Sequence, residues 1–192
     1  MAAAPSPDHY WWKPFEKARI LLGLAAFVLL ALYVNKEKGP LWPGMLISGV
    51  GEALQWWAAG HLRKNVALSI SGPYAYVRNP MYLGRFLVGL GFATTTCSPF
   101  VLIIYVVVFV AYAHARVQRE EGRLQKLLGD PYLRYCENVP RWRPRLMPWG
   151  LAEPRAISWE LVQTNHQHRV TIALVIAYLL LWVRMNYISW HL

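Results

Sequence analysis

Charge is scarce in this chain, and acid is the scarcer part of it. Only 16% of the 192 residues are charged, against about 25% in ordinary soluble domains, which excludes a conventional solvated surface. Asp and Glu number 10 against 20 Lys and Arg, for a formal charge of +10. Cysteine is nearly absent: Cys97 and Cys136 are the only two, which excludes a disulfide framework. No glycine-rich turn between a strand and a helix occurs either, since Gly89-Leu90-Gly91 lies inside an apolar run. Length sets the last exclusion. One domain is allowed, and with about 20 residues consumed by each membrane helix no room is left for a separate soluble domain.

What the chain does have is apolar mass, 56% of its residues, laid out in runs with Lys and Arg at their ends. That placement is the membrane pattern and sets nucleic acid aside. Ile20 to Asn35 reads as the first span, between Lys17 and Arg19 on one side and Lys36 and Lys38 on the other. Asp8, Trp11, Trp12 and Pro14 precede it and no small-residue cleavage site follows, so it is expected to be retained rather than cleaved as a signal peptide. Gly39-Pro40 makes a turn, and residues 41–60 form a second span with interfacial Trp42, Trp56 and Trp57. Residues 61–80 are a mixed, non-spanning connection. Residues 83–96 and 100–115 give a tight helical hairpin broken at Ser98-Pro99, residues 116–168 a polar region, and residues 170–187 a fifth span. The fold expected is all-α, a single polytopic membrane domain of about five transmembrane helices.

Counting Lys and Arg sets the orientation, because cytoplasmic loops retain them. With the N-terminus inside, the cytoplasmic segments hold Lys13, Lys17 and Arg19, then Arg63, Lys64, Arg78 and Arg85, then the ten from Arg116 to Arg169; outside lie Lys36, Lys38 and Arg184. The connection and the polar region therefore share the cytoplasmic face. Cys97 and Cys136 fall on opposite faces, so no disulfide between them is expected.

Three elements can carry chemistry. The first runs Ser71-Gly72-Pro73-Tyr74-Ala75-Tyr76-Val77-Arg78-Asn79-Pro80-Met81-Tyr82-Leu83-Gly84; irregular backbone near a bilayer is tolerated only when buried in protein or lining a wet cavity. Arg78 suits a carboxylate or phosphate, and Tyr74, Tyr76 and Tyr82 offer faces to an adenine or an organic cation; an interfacial tyrosine belt is the alternative. The second is Arg116 and Glu120, four apart and on one helical face, either an ordinary surface pair or a charged group turned toward Arg78. The third is Gly129-Asp130-Pro131-Tyr132-Leu133-Arg134-Tyr135 with Asn138-Val139-Pro140-Arg141-Trp142-Arg143-Pro144, which by composition alone is a basic, aromatic membrane anchor.

Together these elements resemble the isoprenylcysteine carboxyl methyltransferase and phospholipid methyltransferase group. The matching pieces are Gly72-Pro73-Tyr74, Arg78-Asn79-Pro80-Met81-Tyr82-Leu83-Gly84, Arg116 to Glu120, Gly129 through Tyr135, and Val139-Pro140, in the family's order and spacing over residues 69–144. The resemblance implies that residues 69–144 form a cytoplasmic pocket for S-adenosylmethionine. Tyr74, Tyr76, Arg78, Asn79, Pro80, Tyr82, Tyr132, Tyr135 and Pro140 would line it, Arg116 and Glu120 would stand nearest the transferred methyl, and a membrane lipid or lipidated acceptor would enter from the bilayer. Asn79 stands where the family carries histidine; it hydrogen-bonds but cannot shuttle protons near neutral pH, so ligand binding is its expected role.

For a carboxylate acceptor, Arg116 would orient the charge; for an amine, Glu120 would be the base. An intramembrane carboxylate such as Glu52 faces a cavity or a partner, so Glu52, with Gln55 nearby, either lines the substrate route or makes an interhelical hydrogen bond. His166 and His168 lack a third ligand at a matching spacing, and no metal is expected. Membrane sterol reductases, which bind a nicotinamide cofactor, resemble the same pattern, including Tyr135-Cys136-Glu137-Asn138-Val139-Pro140, but have more spans and carry Arg-Asp-Glu where this chain has Arg119-Glu120-Glu121. A fold retained without activity is the third alternative.

Overall fold

In this computed structural model the residues described are 40–63, 67–150 and 156–187, with Ala25, Val28 and Leu29 ahead of them. All regular structure among them is helical. Helix α1 spans Trp42–Ala59 and α2 spans Pro80–Thr94, with a 3-10 turn at Gly72–Ala75 between them; α3 spans Pro99–Leu128, α4 Asp130–Asn138, α5 Trp159–Thr164 and α6 Gln167–Tyr187. The first apolar run, 20–35, lies almost wholly outside the described residues.

Helices α1 and α2 form the tightest pair because small residues line their seam. A Cβ on Gly51 would sit 2.6 Å from the Gly84 carbonyl oxygen, and one on Gly84 would sit 2.7 Å from that of Gly51. Backbone thus packs on backbone, as where lipid removes the hydrophobic drive between helices. Helix α2 stops where three threonines turn back on it: Thr94, Thr95 and Thr96 donate to the carbonyls of Gly91, Phe92 and Ala93, each at 2.7 Å, and such local bonds compete with helix continuation. Ser98 then caps α3 by accepting from the Val101 amide at 3.5 Å.

Helix α3 differs from the expectation of a span ending at residue 115. It continues unbroken for 30 residues, about 45 Å, because its buried stripe continues: Ala113, Val117 and Glu121 are buried at successive i, i+4 positions. Part of the expected polar region is therefore helix. Gly129, at φ +58°, ends it, and α4 follows with Tyr132, Tyr135 and Val139 buried against Leu68, Ile70, Leu124, Leu128 and Trp149.

Among the described residues α3 and α6 are long and apolar enough to cross a membrane. Val107 and Val108 on α3, and Val175 and Leu179 on α6, are all more than half exposed, as lipid-facing side chains are. Helix α2, beginning three residues earlier than expected and 15 residues long, reaches about 22 Å, short of a hydrocarbon core of about 30 Å. The C-terminal segment is held to the first two helices: the hydroxyls of Tyr178 on α6 and Ser48 on α1 lie 2.7 Å apart, Tyr178 stacks on Phe92 of α2 at 4.6 Å, and Asn165, just before α6, donates to the carbonyls of Ala59 and Leu62 at 3.0 Å each. Cys97 and Cys136 are both free thiols.

Candidate functional site

Three stretches distant in sequence meet at the water-facing end of α3. Backbone bonds hold them in register: the Arg78 amide donates to the Pro140 carbonyl at 2.9 Å, the Arg145 amide to Tyr76 at 3.0 Å and the Trp149 amide to Ala75 at 2.9 Å. The Tyr135 hydroxyl donates to the Tyr74 carbonyl at 2.8 Å. The connection, α4 and the segment after it are thereby one unit.

Glu121 stands at its centre. Arg141 donates to Glu121 Oε2 through Nε at 3.0 Å and Nη2 at 2.6 Å; Arg78 Nη1 lies 3.4 Å from Oε1; Asn79 Nδ2 donates to Oε1 at 3.3 Å and to the Arg141 carbonyl at 3.4 Å. Two guanidiniums on one carboxylate leave a net positive charge. Arg78 also donates to Cys136 Sγ at 2.8 Å, and its buried Nε has no hydrogen-bond partner. A buried donor left unmade costs about 1–3 kcal/mol. Beside this group lies a cavity of about 300 Å³, lined among others by Arg78, Gln118, Glu121, Tyr132, Cys136 and Arg141.

Arg116 and Glu120 belong to a neighbouring group. Successive helical residues diverge by about 100°, so Glu120 points away from the Glu121 cluster: its Oε2 accepts from the Tyr82 hydroxyl at 3.3 Å. Tyr82 packs with Ala113, Val117 and Trp142, its ring edge-on to Trp142 at 6.4 Å. Burial, reinforced by Glu120, raises the Tyr74 phenol above its ordinary value, and burial does the same to Tyr132 and Tyr135, so all three are neutral hydrogen-bonding groups at physiological pH. The hydrogen bonds it donates to Glu121 raise Arg141 further, keeping it a fixed cation.

The structure therefore gathers Tyr74, Tyr76, Arg78, Asn79, Pro80, Tyr82, Tyr132, Tyr135, Pro140, Arg116 and Glu120 into one end of the molecule, in two adjoining groups. Glu52 lies elsewhere, on α1 facing α6, and Gln55, one turn on, lies against Gly84 of α2. Glu52 Oε1 accepts from Thr171 at 2.6 Å, Gln167 at 2.9 Å and Trp56 Nε1 at 3.1 Å, while Oε2 accepts from Gln55 at 3.3 Å. The bonds from Thr171 and Gln167 are interhelical, and those from Trp56 and Gln55 lie within α1. Glu121 and Arg141 were absent from the sequence-level set of site residues; the signal for Glu121 was its position eight after Ala113 and four after Val117, on the face that apolar residues bury.

A family model described as phospholipid methyltransferase matches residues 51–131, the stretch that holds the second half of α1, the connection, the hairpin and Glu121. Over that stretch the chain is similar to that family. Protein-S-isoprenylcysteine O-methyltransferase of Xenopus laevis is 32% identical over 77 residues, 40% of this chain and 27% of that protein. The Schizosaccharomyces pombe protein of the same name is 30% identical over 140 residues, 69% of this chain and 59% of that protein. The cobalt-zinc-cadmium resistance protein CzcN of Cupriavidus metallidurans is 32% identical over 108 residues, 56% and 44% of the two chains. The aligned part thus spans about a quarter of the vertebrate relative and somewhat over half of the yeast one. No solved structure gives a significant match. Nothing among these family findings supports the nicotinamide-dependent reductase alternative.

Proposed function

We propose that this protein transfers a methyl group from S-adenosylmethionine to a lipidic acceptor at the cytoplasmic face of a membrane. The observation that carries the reading is the Arg78–Glu121–Arg141 group beside its cavity, built from the segments that carry the family pattern. The residues present suit the cofactor: Arg78 keeps an unpartnered buried Nε for an anionic group, and Tyr132 lines the cavity as a flat neutral face for an adenine.

When bound, the cofactor supplies an activated methyl on a sulfonium. The chain's own residues bind, align and exclude water, which is most of what an in-line displacement requires. Arg78, Asn79, Tyr132 and Arg141, braced by Glu121, hold the donor; Tyr74, Tyr76, Pro80, Tyr135 and Pro140 shape the unit that presents them. Arg116, Glu120 and Tyr82 face the acceptor, Glu120 accepting a proton if the acceptor is an amine and Arg116 holding its charge if it is a carboxylate. Glu52 fixes α6 rather than touching the acceptor, and Gln55 packs on α2 beside Gly84.

Calorimetry on detergent-purified protein tests this. S-adenosylmethionine and S-adenosylhomocysteine are expected to bind at micromolar concentration, with affinity lost in Arg78→Ala; binding of NADPH in their place would transfer the reading to the reductase class, and binding of none would end it.

A further inference from the structure

Arg85 is an exposed residue on α2, five residues beyond Pro80 and so about 8 Å further along the helix. Its guanidinium carbon lies 5.2 Å from the centroid of the Tyr82 ring, a cation–π contact that restrains an otherwise mobile side chain. The Tyr82 hydroxyl is spent on Glu120, and Arg85, Arg116 and Glu120 all act electrostatically on Tyr82; Glu120 and Arg85 also act on Tyr74. Two cations and one anion thus share this spot. Yet Glu121 is paired with Arg78 and Arg141, and among the described residues neither Arg85 nor Arg116 has a carboxylate within pairing distance. An apolar wall continues toward the lipid, where Phe86 stacks on Tyr105 at 5.9 Å and packs on Phe109 at 5.4 Å.

A restrained guanidinium without an acid, above an aromatic wall, matches a molecule with an oxyanion head and an apolar tail. We infer that Arg85, with Arg116 as the second cation, binds the carboxylate or phosphate of the amphipathic molecule that reaches this site from the bilayer. The inference rests on the methyltransferase reading only in naming that molecule the acceptor. Arg85 then selects for acceptors that carry an oxyanion over those that carry only a cationic head.

The test uses the full chain in phosphatidylcholine nanodiscs, with octanoate, octyl phosphate and octyltrimethylammonium titrated calorimetrically against empty discs. Both oxyanions are expected to bind at least about tenfold more tightly than the cation, a gap of about 1.4 kcal/mol. Arg85→Gln should erase that preference and Arg85→Lys retain most of it, while S-adenosylmethionine affinity, measured on the same samples, stays at the wild-type value and reports an intact fold. Equal binding of the three heads by the wild type, or a preference that survives Arg85→Gln, would overturn the inference. Discs doped with phosphatidylglycerol separate the sources: competition with octanoate assigns the site to a bilayer phosphate, undiminished binding to a free acceptor, and either supports the oxyanion site. If the wild type binds no S-adenosylmethionine, the methyltransferase reading fails while the head-group preference is still decided by the three amphiphiles.

Discussion

Glu121 and Glu52 are both nearly buried carboxylates, 8% and 7% exposed, and their surroundings differ in kind. Glu121 faces two arginines, one of which keeps a buried nitrogen without a partner. Glu52 faces four neutral donors, from Gln55, Trp56, Gln167 and Thr171, with no guanidinium or ammonium in pairing distance among the described residues. Surplus positive charge with an unmet donor beside a cavity is an arrangement prepared for an anionic guest. A carboxylate ringed by neutral donors is a closed joint that fixes α6 on α1. Burial alone does not mark a functional acid; the balance of charge and unmet bonds around it does.

Substitutions can break this contrast, and the largest effect should come from beneath both groups. Gly84→Leu would drive α2 off α1, where backbone already meets backbone, and should cost about 3 kcal/mol or more, read as loss of folded protein in a mixed-micelle unfolding titration. Glu121→Ala leaves Arg78 and Arg141 without their acid; since Arg141 is partly exposed to solvent, a loss of about 2 kcal/mol is expected, accompanied by loss of S-adenosylmethionine binding in calorimetry. Retained cofactor affinity there would mean that the cluster is structural, like that at Glu52.

Glu52→Gln sharpens the comparison from the other side. Its new amide would confront donors, costing about 1–2 kcal/mol in the same unfolding titration, with cofactor affinity unchanged; a fall in affinity as large as that of Glu121→Ala would erase the distinction. The smallest effect is expected for Thr171→Val, which removes one donor to Glu52 and one acceptor from Trp56, about 1 kcal/mol. Trp56 emission should shift as its partner is lost.

Much of the helical framework was legible because apolar runs and their charged ends are consequences of the solvent, and residues 41–60 and 170–187 contain nearly all of α1 and α6. The end of α3 was not. A change from apolar to charged composition at Arg116 marks where the helix leaves lipid, not where hydrogen bonding stops, and 13 further residues are helical to Leu128. Glu121 was passed over although Arg116 and Glu120 were read on one helical face, because its burial behind Val117 is set by packing and not by its residue type. Arg78, Asn79 and Tyr82 were legible from their order along the chain, whereas Arg141 as their partner required knowing that the Arg78 amide bonds to Pro140, a contact 62 residues away in sequence that no local pattern encodes.

The unbroken length of α3 has a mechanical consequence. Its lipid-facing half, around Val107, and its charged end, from Arg116 to Glu121, are one rigid rod of about 45 Å, with Gly122 its only glycine and no proline after Pro99. Each degree of tilt imposed by the bilayer on the lower half swings the upper end by about 0.8 Å, a distance comparable to the placement error that costs reactions orders of magnitude in rate. The tilt of the apolar half is thereby geared to the placement of the charged end, as the long arm of a lever is to its tip.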